Sequence, residues 1–234
     1  MRTHSAKKDL YLQKKQILAL RKQYFFLSLQ AKKSYSQNQS GMAAINPAVE
    51  EYRNFVASLA KGEGVNRVFM NSDEDKALIV LVELFKSAKT IVRIFAANLC
   101  QHVGNQKDYI EALSDFIERG GEVRILINDY NRNYVLLSDL YKRLAYYISE
   151  KKPVFIRETT VKPYYANDES KKEVHFTIAD SKGFRIETDT DKRTARCNFN
   201  NPEEAEGVIK FFDEVFDKSA QNINLTELFG YGNQ

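Results

Sequence analysis

At 234 residues, with 43% hydrophobic residues, 28% charged residues and a formal net charge of +4, the chain is long enough for a full core and has neither a fibrous nor a disordered composition. Its longest apolar run, "ALIVLV" at residues 77–82, stops at Glu83, far short of the roughly 20 residues a membrane-spanning helix needs, and the N-terminus has no uninterrupted apolar core with a small-residue cleavage site. The two cysteines, Cys100 and Cys197, are too few for a disulfide framework and have no Cys or His at metal-ligand spacing, so free thiols in a reducing cytoplasm and no metal or other cofactor are expected.

The charge is unevenly divided. Residues 1–40 hold nine Lys or Arg against the single acid Asp9, a net +8, and the remaining 194 residues hold 26 bases and 30 acids, a net −4. A basic arm on a mildly acidic body suits an acidic partner: nucleic acid, an acidic protein face or, less well, an anionic membrane surface. Residues 9–33 contain no Gly or Pro and read as one helix. Leu10, Ile17, Leu20, Tyr24, Leu27 and Ala31 form an a/d seam broken at Gln13, able to pack on its own domain or to build a dimer. Lys7, Lys8, Lys14, Lys15, Arg21, Lys22, Lys32 and Lys33 are the candidate nucleic-acid or partner-binding residues. Residues 1–40 are therefore taken as a basic amphipathic helix and the Ser/Asn/Gln-rich stretch closing at 41–47 as a linker.

The body is expected over residues 48–222, with 223–234 as a tail. A helix at 48–60 and a short strand at 68–70 precede "SDED", where Ser72 and Asp75 suggest a capping box for a buried helix ending near Lys89. Then "TIVRIFAANL" reads as a strand, "KDYIEALSDFIERGG" as a helix stopped by Gly120 and Gly121, and "EVRILIND" as a strand. "YVLLSDLYKRLAYYISEKKP" reads as one helix and "PVFIRET" as a strand, an alternation that specifies an α/β domain with a partly parallel sheet. Two strands then meet at a turn, residues 180–183, and "TARCNFNN" leads into a helix starting near Pro202, with Val208, Phe211, Phe212, Val215 and Phe216 inward.

In "KKEVHFTIADSKGFRIETD", strand alternation puts Val174, Phe176 and Ile178 on one face and Glu173, His175 and Thr177 on the other. The apolar set is expected in the core and the polar set on a surface or cleft, with Glu173 orienting the His175 ring. Lys182, Arg185, Arg193 and Arg196 on the hairpin and return strand are candidate phosphate ligands, since guanidinium forks suit phosphate geometry. The plainer reading is a charged edge strand diluted by Glu187, Asp189 and Asp191.

Over residues 73–218 the element order resembles one repeat of the phospholipase D superfamily: a histidine-bearing strand turning at Asp-x-x-Gly, a return strand, the "NF" dipeptide of Asn198-Phe199, and a closing helix ending in "FFDEVF". The resemblance implies a mixed sheet flanked by helices. Catalytic members carry HxKxxxxD, a Gly-Ser and an Asn. Here an anchor on Asp180 gives ExHxxxxD, with Glu173 at the histidine position and His175 at the lysine position, whereas an anchor on His175 puts Thr177 at the lysine and Lys182 at the aspartate. "ARC" stands where Gly-Ser belongs.

The expectation is a cytoplasmic, bacterial, degenerate phospholipase D-like pseudoenzyme that serves as a binding or assembly module for nucleic acid or phosphate, accessory to a nuclease or defence system. One alternative is a homodimeric, metal-independent phosphodiesterase or nuclease with catalytic His175, Glu173 and Asn198. Another is a protein-interaction module docking through the basic helix. A homo-oligomer is expected in either of the first two cases.

Overall fold

The computed structural model describes residues 46–63, 66–99, 102–164, 172–190 and 192–231. The basic segment with its eight candidate cations, and all of the linker but its last two residues, lie outside them. The chain divides into two units at Pro47, and the elements below belong to the second, Ala48–Gln234, apart from the first residue of the first helix.

In chain order these are α1 (Pro47–Ala60), β1 (Phe69–Asn71), α2 (Glu74–Ser87), β2 (Ile91–Ala96), a 3-10 turn (His102–Asn105), α3 (Lys107–Glu118), β3 (Glu122–Ile127), α4 (Arg132–Leu137), α5 (Asp139–Ser149), β4 (Val154–Glu158), β5 (Phe176–Ala179), β6 (Gly183–Asp189), β7 (Thr194–Asn198), α6 (Pro202–Lys218), β8 (Gln221–Asn222) and α7 (Leu225–Leu228). They build one eight-stranded mixed sheet in the order β1-β7-β6-β5-β2-β3-β4-β8. β2, β3 and β4 run parallel, joined by α3 and by α4 and α5, and every other pairing is antiparallel. The α/β class is as the alternation of elements predicts, and the mixed sheet flanked by helices is as the phospholipase D resemblance implies.

The sheet is covered on both faces. Val92, Ile94, Val123, Ile125, Val154 and Ile156 look into the larger core, shared with Leu84 and Phe85 of α2, Leu113 and Phe116 of α3 and Leu144 of α5. Phe95, Leu126, Phe176, Ile178, Phe184 and Ile186 look the other way, onto Phe212, Val215 and Phe216 of α6. Deleting one of the large side chains that are fully enclosed here, such as Phe85 or Phe95, falls in the class of change that costs about 3–5 kcal/mol.

Local chemistry departs from the sequence expectation at three places. Asp73, not Ser72, caps α2, its Oδ1 accepting from the Lys76 N–H at 2.9 Å. The long helix expected before β4 is two helices, because Ser138 adopts extended backbone (φ −89°, ψ 125°) and caps α5 through its side chain. Asn105 holds that break in place: its Oδ1 accepts from Ser138 Oγ at 3.0 Å and Leu140 N at 3.2 Å, a tertiary contact no local pattern reveals. The residues expected as a tail belong to the body. Leu225 is 1% exposed and the Ile223 N–H donates to Ile156 C=O at 3.1 Å, so β8 closes the sheet edge against β4 and α7 packs beside α5.

The stop after α3 does follow the sequence. Gly120 takes φ 89°, where a side chain would be strained, and a Cβ on Gly121 would lie 2.2 Å from the Phe116 ring. The helix thus turns directly into β3 with Phe116 sealed beneath it.

Candidate functional site

Hairpin register decides which polar side chains meet. Ala179 pairs with Gly183 across the turn, so stepping back by twos brings Thr177 opposite Arg185. One further step brings His175 opposite Glu187, whose N–H donates to the His175 carbonyl at 2.8 Å. β7 continues both rows, with Cys197 beside Arg185 and Ala195 beside Glu187, and β1 adds Asn71 beside Ala195. All of these face the larger core, so a polar island forms on the inner face of the sheet, next to the carboxyl ends of β2 and β3.

The side chains bind mostly to one another and to nearby backbone carbonyls. Arg185, 4% exposed, donates through Nε to Asn71 Oδ1 at 3.0 Å, through Nη1 to Glu187 Oε1 at 2.8 Å and through Nη2 to Arg193 C=O at 3.2 Å. Asn71 returns a bond to the same Arg193 carbonyl at 2.9 Å. His175 lies between two acids, with Nε2 3.3 Å from Glu173 Oε1 and Nδ1 3.2 Å from Glu187 Oε2. The Nδ1 contact is not aligned as a hydrogen bond, which leaves Glu187 Oε2 buried without a hydrogen-bond partner among the described residues. Asn128, just past β3, donates to Glu173 Oε1 at 2.5 Å, and Lys162 Nζ reaches Glu173 Oε2 at 3.4 Å.

Burial pushes the Glu187 carboxyl up, but the His175 ring and the Arg185 guanidinium outweigh it and hold the group below its ordinary value. Glu173 behaves alike: burial raises it, and the Asn128 bond, His175 and Lys162 bring it down. Cys197 is different, since burial pushes its thiol up to about 12 and makes it a poor nucleophile. Among the described residues no three His, Cys, Asp or Glu side chains are placed to share a metal ion.

A cleft of about 260 Å³ opens beside the island, with His175, Thr177, Arg185, Glu187 and Arg193 on one side and Ile94, Ala96, Asn98, Leu99 and Val103 on the other. The polar face of the His175 strand is therefore the wall of a cleft. It is not an open surface, because α2 and α3 cover that side of the sheet, and Thr177 is only 5% exposed.

Of the residues singled out from sequence, the structure brings together Glu173, His175, Arg185 and Arg193. The others lie elsewhere. Arg196 and Asn198 alternate with Ala195 and Cys197 and so belong to the opposite face of β7, where Arg196 Nη2 pairs with Glu204 Oε1 at 3.0 Å. Asn198 stands opposite Phe184 at the turn end of the hairpin and accepts from the Asn200 N–H at 2.8 Å. Lys182 is exposed in the turn itself. The residues that sequence reasoning passed over are Glu187, Asn71 and Asn128. Extending the hairpin register from the turn by two steps would have found Glu187; nothing local marks the other two.

Asp180, the last position of the motif, does not reach the cluster. Its carboxylate ties the start of β2 to the hairpin, accepting from Lys89 N at 3.0 Å, Thr90 N and Oγ1 at 2.8 Å each, and Ile91 N at 3.1 Å. Burial pushes this carboxyl up, and the Thr90, Lys89 and Ile91 donors more than reverse that, leaving it below its ordinary value. A depressed folded-state pKa stabilises above the unfolded value, about 3.9, and the stabilisation disappears as pH falls below it toward the folded value. Asp180→Asn is accordingly expected to lower the urea midpoint at neutral pH, with the gap to wild type narrowing below about pH 4. A gap of constant size from pH 7 down to pH 3 would contradict this role.

The chain belongs to the family described as "Domain of unknown function (DUF7931)", whose model matches residues 73–228. No curated protein matches the sequence. Solved structures with a similar outline include TrmBL2, an archaeal chromatin protein with a novel mode of DNA binding, at 14% identity and TM-score 0.48 over 86% of this chain and 69% of that one. Another is Nuc from Salmonella typhimurium, a phospholipase D family member, at 18% identity and TM-score 0.48 over 68% of this chain and 99% of the other. NucT from Helicobacter pylori is 13% identical with a TM-score of 0.46, over 68% of this chain and 100% of that one. At such distances the likenesses carry neither residues nor activity across. Among the described residues, no helix is long and apolar enough to cross a membrane.

Proposed function

We propose that the chain is a degenerate phospholipase D-like module that has lost cleavage chemistry and that binds a phosphate-bearing partner, nucleic acid, mainly through its basic N-terminal segment. The observation that carries the loss of cleavage is the engagement of His175 on both sides. A nucleophilic imidazole needs one ring nitrogen free to face phosphorus, and here Nε2 is 3.3 Å from Glu173 and Nδ1 is 3.2 Å from Glu187. The motif lysine that would hold phosphate oxygens is missing as well: Thr177 stands two residues on, all three nitrogens of Arg185 already donate to protein oxygens, and Arg193, the other guanidinium on the cleft wall, has its Nη1 3.8 Å from Glu187 Oε1. The net +8 of residues 1–40 supports the choice of partner, because backbone phosphates are recognised chiefly by charge.

One observation favours the hydrolytic alternative. Glu187 Oε2, buried 3.2 Å from Nδ1, sits on the side of the ring an orienting carboxylate would occupy, so release of Nε2 from Glu173 would leave that nitrogen free at the cleft wall. A single experiment separates the two readings. Wild type and His175→Ala, in chelator, are offered single-stranded DNA and a simple phosphodiester: equal rates at background level are expected, with DNA retained at low salt and released steeply as salt rises. Cleavage by wild type that His175→Ala loses would replace the binding reading with the hydrolytic one. An affinity insensitive to salt would remove the binding reading by itself.

A further inference from the structure

Away from the His175 cleft, and sharing no residue with it, a recess of about 390 Å³ is lined by Ile110 of α3, by Asp139, Lys142, Arg143 and Tyr146 of α5, and by Tyr231 beyond α7. Residues 139, 142, 143 and 146 fall at steps of three and four, so α5 presents them on one stripe. Tyr231 is brought over that stripe by its N–H bond to Thr226 C=O at 2.8 Å. Tyr146 is 41% exposed, a large aromatic side chain left at the surface beside two cations.

The nearby acids Glu111 and Glu118 pair with Lys107 at 3.5 Å and Lys152 at 2.9 Å, the charge of Arg143 also acts on Glu118 from beyond ion-pair distance, and Asp139 is the one acid lining the recess. Among the described residues, neither Lys142 nor Arg143 takes part in an ion pair. A bare anion would need the cations but not the rings; a purely apolar ligand would need the rings but not the cations. Aromatic faces interleaved with unpaired cations suit a ligand that offers a flat base and a phosphate together, and bases are presented that way by single strands rather than duplexes.

We propose that this recess binds single-stranded nucleic acid, one base stacking on Tyr146 beside Tyr231 while the flanking phosphates meet Lys142 and Arg143. The inference rests on the nucleic-acid reading above and adds to it a base-binding site on the body, separate from the basic segment. A short single-stranded DNA labelled with a fluorophore is titrated by anisotropy against the full chain at low salt.

Tyr146→Ala is expected to weaken binding on the order of tenfold, and Tyr146→Phe, which keeps the ring, to bind like wild type. Lys142→Gln with Arg143→Gln should weaken binding and lower the slope of log affinity against log salt by about 1.4, at roughly 0.7 per phosphate contact. Tyr134→Ala is the control, since Tyr134 is 46% exposed but lies on α4 outside the recess. Duplex of the same sequence should lose nothing on Tyr146→Ala. If wild type binds single strands with a salt slope and Tyr146→Ala binds equally, this inference is overturned and the basic segment remains as the binding element. If wild type binds no single strand at low salt, the nucleic-acid reading falls and this inference with it.

Discussion

Arg185→Met is expected to lower stability by about 3–5 kcal/mol, because it removes the near partner of a buried ion pair and leaves Glu187 only the more distant Arg193 guanidinium, 3.8 Å away, and the His175 ring. The side chains of Arg185 and Glu187 are 5% and 6% exposed, and Glu187 Oε2 is already without a hydrogen-bond partner among the described residues. With the guanidinium gone, Glu187 loses its 2.8 Å bond, Asn71 Oδ1 loses its Nε donor, and the Arg193 carbonyl keeps only the Asn71 bond of the two donated to it from this island. For a domain of this size the loss corresponds to a melting temperature lower by about 10 °C. Arg185→Met combined with Glu187→Leu should be milder than Arg185→Met alone, since a buried pair replaced as a pair leaves no stranded charge. A single variant as stable as wild type would mean that the island is open to water and that its ion pair is not a structural element.

The second large effect is on binding. Replacing Lys7, Lys8, Lys14 and Lys15 by glutamine removes four of the nine cations in residues 1–40. If each meets a single-strand phosphate, the slope of log affinity against log salt should fall by about 3, and affinity at low salt by on the order of a hundredfold. Both are read from one salt titration by anisotropy. Weak sequence preference is expected to persist, because phosphate contacts carry no base identity. An unchanged slope would show that the arm does not touch the phosphates, and would favour docking on an acidic protein face.

The parts of the site legible in sequence are those set by local rules. The turn at residues 180–183 and the period-two alternation place His175, Thr177 and Arg185 on one face, and the same alternation excludes Arg196 and Asn198, although the motif comparison had placed Asn198 at the site. The expectation for Asn198 followed from chain order, and side-chain direction along β7 overrides it. In the sequence alone Glu187 reads as dilution of a basic patch. Register makes it the buried neighbour of His175 and the anchor of Arg185.

By itself the sequence determined the α/β alternation, the buried character of α2, the glycine stop after α3, the inward face of α6 and the separation of a basic arm from an acidic body. These follow from hydrophobic period, turn chemistry and charge count, which act over a few residues. Only the tertiary structure decided that β1 brings Asn71 against both Arg185 and Cys197, that Asn128 bonds to Glu173, and that Asn105 splits one expected helix in two. The partners in those contacts are 114, 126, 45 and 33 residues apart, respectively. No local propensity spans such separations, and strand order, which sets them, is chosen by how the whole sheet buries its two faces.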